Sequence, residues 1–81
     1  MIKFANPVHP GEILAEEFLG PAKLDITSFS GEAGIDARTV VALTEGRTGI
    51  TDILAAKLAA YWGNSTDFWL KIQENYDKSD Q

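Results

Sequence analysis

The chain contains no cysteine, and that absence excludes disulfide scaffolds, zinc ribbons and thiol catalysis. A single histidine, His9, leaves imidazole-rich metal sites and Ser-His-Asp triads without material. No apolar run approaches the ~20 residues of a membrane span, and the N-terminus lacks a signal peptide's charged and apolar regions. The expectation is a cytoplasmic protein that engages no membrane. Basic residues are scarce as well: seven Lys and Arg stand against twelve Asp and Glu, a net charge of −5. That balance argues against a simple basic nucleic-acid glove and for a basic partner. Repeats and low-complexity tracts are missing, and no stretch alternates apolar and polar residues long enough for a strand.

What remains is an ordinary folded chain. Its 81 residues, 44% of them hydrophobic, suffice for one domain. A chain this short buries only about 60–65% of the surface its unfolded form exposes, so association with a second copy would add useful stability. Two prolines, Pro7 and Pro10, lie in the first ten residues, so 1–10 reads as an extended arm. Ile13, Leu14 and Phe18 have near-helical spacing, with Glu12, Glu16 and Glu17 mostly on the other side. They predict a first helix over Gly11 to Leu19, stopped by Gly20-Pro21. His9, ahead of Pro10, reads as a capping or packing residue.

Four further helices follow from caps and periodicity. Thr27 to Ala33 is ended by Gly34 as a left-handed cap. Ile35 occupies a three-residue turn, and Asp36 caps Ala37 to Glu45. Val40 and Leu43, three apart, face inward, which turns Ala37, Arg38, Val41 and Ala42 elsewhere. Thr51 or Asp52 caps a fourth helix through Trp62, whose stripe is Leu54, Ala55, Leu58 and Tyr61. Ser65 caps a fifth, Thr66 to about Tyr76, leaving 78–81 as a flexible tail. The fold class is all-α.

Helix, Gly-containing turn, helix is the arrangement that sets a second helix into a DNA major groove. Here it spans about 27–45, with Ile35 plugging the angle. No nucleophile–base pair or metal-ligand cluster accompanies it. Gly46-Arg47-Thr48-Gly49 lacks the preceding strand that a nucleotide-binding loop needs. The chain is therefore expected not to be an enzyme, and to use no cofactor and no metal.

The stretch His9-Pro10-Gly11-Glu12-Ile13-Leu14, with Glu16-Glu17-Phe18-Leu19 and Pro21 after it, resembles the opening of the HigA-type antitoxins. The likeness continues through Leu24, Gly34-Ile35, Gly46-Arg47-Thr48-Gly49-Ile50-Thr51, Leu58-Ala59 and Tyr61-Trp62-Gly63. It closes with Ser65-Thr66-Asp67-Phe68-Trp69-Leu70, Gln73 and Tyr76-Asp77, covering about residues 7 to 77. The resemblance implies a five-helix lambda-repressor-like (XRE) domain over 11–77. It also implies a RelE/HigB-like, mRNA-cleaving toxin as partner, a homodimer, and autorepression through an inverted repeat in operator DNA.

By the same resemblance the base-reading positions fall on Ala37, Arg38, Thr39 and Ala42. Of these Arg38 alone is a strong reader, able to grip guanine O6 and N7 bidentately. Thr39 can bond a phosphate, and Ala37, Val41 and Ala42 can at most touch thymine methyls. Arg47 either contacts phosphate or favours the end of its own helix, and Thr48 follows it in the DNA-facing set. Two departures weaken the picture. Asp25 and Ile26 stand where the family has a polar pair that contacts the DNA backbone. Residues 25–49 also hold two basic against four acidic side chains, a net −2 facing a polyanion. Loss of most DNA affinity, leaving a protein-interaction module, is thus one alternative, and a solitary regulator without a toxin is another. Phe68, Trp69 and Ile72 are expected at a dimer interface. Phe68 and Trp69 lie about 100° apart on a helix, so one faces the core and the other the second subunit, in either assignment. Glu12, Glu16 and Glu17 are the expected toxin-facing surface.

Overall fold

The computed structural model describes residues 8–79, and every regular element among them is helical. Helix α1 (Pro10–Ile13) passes without a break into a π-helical segment (Leu14–Leu19) and then α2 (Gly20–Ala22). After a turn come α3 (Ile26–Ala33), α4 (Ala37–Thr44), α5 (Asp52–Trp62) and α6 (Thr66–Ser79). The first three pieces form one rod, so the expected five-helix, all-α architecture is what the chain adopts.

The first rod differs from its prediction at both ends. It starts at Pro10, whose preset φ and missing N–H suit a first helical position. His9 caps it, Nδ1 accepting from the Gly11 N–H at 2.9 Å. Gly20-Pro21 does not stop it. A proline inside an α-helix clashes with the carbonyl four residues back. The turn before Pro21 is wide, with the Gly20 N–H reaching back five residues to the Ala15 carbonyl, and this register carries the ring. The rod ends two residues later at Lys23, in left-handed conformation with φ 55°.

The chain ends differ too. Of the predicted arm, residues 1–7 lie outside the described residues, and Pro10 belongs to the helix. Of the predicted tail, 80–81 lie outside, while Lys78 and Ser79 continue α6. Lys78 pairs with Glu74 one turn back at 3.2 Å, and this ion pair holds the Glu74 carboxyl below its usual range.

Local chemistry sets the other ends. Asp25 and Thr51 accept from the N–H groups of Ser28 (2.7 Å) and Leu54 (3.2 Å), and Ser65 from that of Phe68 (3.0 Å). Gly34 and Gly63 close α3 and α5 in left-handed conformation. The core gathers Leu14, Phe29, Val40, Leu43, Leu58 and Trp69, all essentially without exposed surface. Phe18 joins the first rod to α5 and α6, its ring 5.1 Å from those of both Trp62 and Trp69. Gly11 lets α1 lie directly on the end of α4: a Cβ there would fall 1.6 Å from the Leu43 carbonyl oxygen.

Candidate nucleic-acid interface

α3, the turn Gly34-Ile35-Asp36 and α4 form the corner expected near 27–45. Gly34 at φ 72° turns the chain, and its N–H and that of Ile35 both donate to the Ser30 carbonyl at 3.0 Å. Ile35 is buried in the angle. Asp36 starts α4 by accepting from the Arg38 N–H at 3.1 Å. With Val40 and Leu43 in the core, the helical period leaves Ala37 and Arg38 exposed and Thr39, Val41 and Ala42 half-buried.

Ala37, Arg38, Val41 and Arg47 together line one shallow surface depression of about 380 Å³. The structure thus joins the start of α4 to the loop that follows it, and Val41 enters the set as an apolar lining residue beside the two arginines. Among the described residues Arg38 makes no ion pair. Arg47 does: its Nε and Nη2 both lie 2.8 Å from Glu45 Oε1, two residues back across the Gly46 turn. Reasoning from helical spacing overlooks this pair because Gly46, at φ 76°, has already ended the helix. Thr48 is half-buried beside Arg47. Asp25, Asp36 and Glu45 are all exposed on this corner, so its field is mixed.

The other predicted surfaces separate. Trp69 is a core residue with no exposed surface, its indole N–H donating to Asn64 Oδ1 at 2.8 Å. This corrects its placement at a dimer interface, since a side chain closed off within its own subunit offers nothing to another. Phe68 is the outward ring of the two, 40% exposed, and Ile72 is half-buried. Ile53, at 69%, is a more exposed apolar residue that helical periodicity did not single out. Glu12, Glu16 and Glu17 are exposed on the first rod. His9 caps and packs, its ring 5.0 Å from that of Tyr76. No group of three or more metal-ligating side chains occurs among the described residues, and no helix there is long and apolar enough to cross a membrane.

An all-α domain with this corner and an exposed arginine at the head of the corner's second helix is a helix-turn-helix protein. No family model matches the sequence, but individual proteins do. It is 39% identical over 72 residues to Antitoxin HigA-1 of Vibrio cholerae serotype O1, covering 89% of this chain and 68% of that protein. It is 33% identical over 70 residues to Virulence-associated protein I of Dichelobacter nodosus, covering 86% and 65%. The chain thus spans about two thirds of the length of these curated relatives. Its fold matches that of Pseudomonas aeruginosa antitoxin HigA, solved with the higBA promoter, at a TM-score of 0.89 and 31% identity, covering 93% of this chain and 82% of that one. The chain belongs to the HigA antitoxin family of helix-turn-helix proteins.

Proposed function

We propose that the chain is an antitoxin that neutralises a RelE/HigB-like, mRNA-cleaving toxin. On this reading it also represses its own operon in the cytoplasm, binding an inverted repeat as a homodimer through the domain over residues 11–77. Arg38 carries the DNA half of this reading: it is exposed at the start of α4, free of any ion pair among the described residues, and shares a depression with Arg47. A guanidinium so placed can approach a guanine edge while Arg47, Thr48 and Thr39 meet phosphates, with Ala37 and Ala42 near thymine methyls. That a relative was solved with promoter DNA supports the assignment.

A dimer would set two α4 helices in successive major grooves, roughly 34 Å apart. Phe68 and Ile72 supply apolar surface for it. Sedimentation at tens of micromolar tests this directly, and a monomer there refutes it. The toxin half rests on charge. An RNA-cleaving toxin needs basic groups in its cleft, and Glu12, Glu16 and Glu17 give the first rod an exposed acidic surface. Binding to a duplex from the chain's own promoter region, against a scrambled duplex of equal composition, tests the repressor half. Equal affinity for the two would refute it.

One observation favours a second reading, a toxin-binding module with little DNA affinity: Arg47 already has Glu45 as counter-ion, on a corner that also exposes Asp25 and Asp36. Under that reading growth protection persists while promoter preference is absent.

A further inference from the structure

The loop between α4 and α5 is held at two points. At its start the N–H groups of Gly46 and Arg47 donate to the carbonyls of Leu43 (3.1 Å) and Ala42 (2.8 Å). At its end the Ile50 N–H turns away from the backbone altogether and donates to Gln73 Oε1 on α6, 2.7 Å away and 23 residues further along the chain. Between these anchors the N–H groups of Thr48 and Gly49 have no acceptor among the described residues. The orientation of the Gln73 amide is itself fixed, because its Nε2 donates to Asp77 Oδ1 at 2.9 Å. The nitrogen thus faces a carboxylate and the oxygen faces Ile50. Gly49 completes the fit, since a Cβ there would lie 2.9 Å from Gln73 Oε1 and 3.2 Å from its amide carbon.

We propose that Gln73 is a positioning residue for the Arg47–Gly49 loop, holding it ready to grip a DNA phosphate. The inference rests on the DNA-binding reading above and extends it to a residue on another helix. Phosphate oxygens are bound by guanidinium groups, hydroxyls and backbone N–H groups. Three consecutive residues here offer all of these: the Arg47 side chain, on exchanging Glu45 for the phosphate, the Thr48 hydroxyl and two amides without acceptors among the described residues. A short loop with two glycines, Gly46 and Gly49, has many conformations available, and ordering it only on binding would subtract from affinity. Gln73 orders it beforehand from the rigid side, through a bond next to buried Ile50.

The test uses the full chain, a labelled duplex from its own promoter region and a scrambled duplex. Gln73→Leu removes the anchor. Gln73→Glu combined with Asp77→Asn exchanges donor and acceptor across their contact, keeps net charge constant and leaves an oxygen for Ile50. Losing the anchoring bond should weaken promoter binding about ten-fold and speed hydrogen exchange at the Ile50 amide. The exchanged pair should restore both. With Arg47 already changed to Ala, Gln73→Leu should cost clearly less, because the group being positioned is gone. Should Gln73→Leu fail to fold, Gln73→Met, which keeps the side-chain length and the net charge while removing the acceptor oxygen, makes the same comparison. Equal losses with and without Arg47 would mark Gln73 as merely structural and overturn the proposal. So would undiminished promoter binding by Gln73→Leu beside a wild type that prefers the promoter. A wild type with no such preference overturns the DNA-binding reading itself, and this inference with it.

Discussion

Adding one methyl group at Gly11 should do more damage than at any other glycine of the protein. The Cβ of Gly11→Ala would sit 1.6 Å from the Leu43 carbonyl oxygen, 2.4 Å from its carbon and 3.0 Å from the Thr44 nitrogen. All three are backbone atoms of α4, so no side chain can rotate away. A carbon normally keeps about 3.3 Å or more from a carbonyl oxygen, so α1 and α4 must separate by roughly 1.7 Å. A gap of 0.5–1 Å already forfeits about a quarter to a half of each atomic contact, so most dispersion across this seam is lost. Overpacking in a close-fitted core costs typically about 1–3 kcal/mol, and an immovable backbone puts this site at the upper end or beyond. Against a total of about 4–12 kcal/mol for a chain of this length, a loss near 3 kcal/mol should lower Tm by roughly 12–24 °C. Gly31→Ala is the control: a Cβ there meets nothing within 4 Å, in the middle of α3. Replacing that helical glycine should raise stability by about 0.5–1 kcal/mol. Thermal melts followed by circular dichroism compare the two. A Gly11→Ala protein melting within about 3 °C of wild type would refute the argument.

Three other outcomes are expected. Arg38→Ala should weaken promoter binding by about 1–3 kcal/mol and relax preference at one base pair, read by competition with single-base variants of the duplex. Reversing Glu12 and Glu16 to Lys should slow toxin association and flatten its salt dependence while helical content stays unchanged, measured by stopped flow and circular dichroism; unaltered kinetics would place the toxin elsewhere. The Tyr61 hydroxyl donates to Glu32 Oε1 at 2.5 Å, and this bond, with some desolvation and the carboxylate's charge, raises its pKa. The bond therefore contributes fully below the ordinary tyrosine pKa and is lost as pH rises through the raised value. Absorbance titration should show Tyr61 ionising at lower pH in Glu32→Gln than in wild type.

Short-range chemistry was the legible part of this fold. Asp36, Thr51 and Ser65 cap where their side chains and the following apolar period say they should, and Gly34 turns where a left-handed residue is needed. Val40 and Leu43 settle the phase of α4, and with it which side of the helix can face DNA. The misreadings have a common source, in groups whose partners are set by tertiary packing. Pro21 reads as a stop, and only the π turn against the core carries it inside a helix. Phe68 and Trp69 are equally apolar neighbours, so their assignment depends on where Phe18 and Asn64 lie. The Glu45–Arg47 pair spans a turn outside any helical period, and Gln73 reaches Ile50 across 23 residues. The α4 residues of the candidate site are thus readable from sequence, whereas the supports of its loop are not.

The ion pair between Glu45 and Arg47 has a consequence for how such a protein would search a chromosome. Binding to random DNA is almost wholly a matter of neutralised phosphates and released counter-ions. Here one of the two arginines on the corner brings its own carboxylate, so its contact with phosphate exchanges one anion for another and releases fewer ions from the duplex. Loose association with arbitrary sequence suffers most from this, since it has no other source of free energy. A contact between Arg38 and a guanine edge keeps its hydrogen bonds. An acidic reader of this kind would dwell briefly on non-cognate sites and find its operator through many short encounters. Its discrimination would come from being poorly held everywhere else.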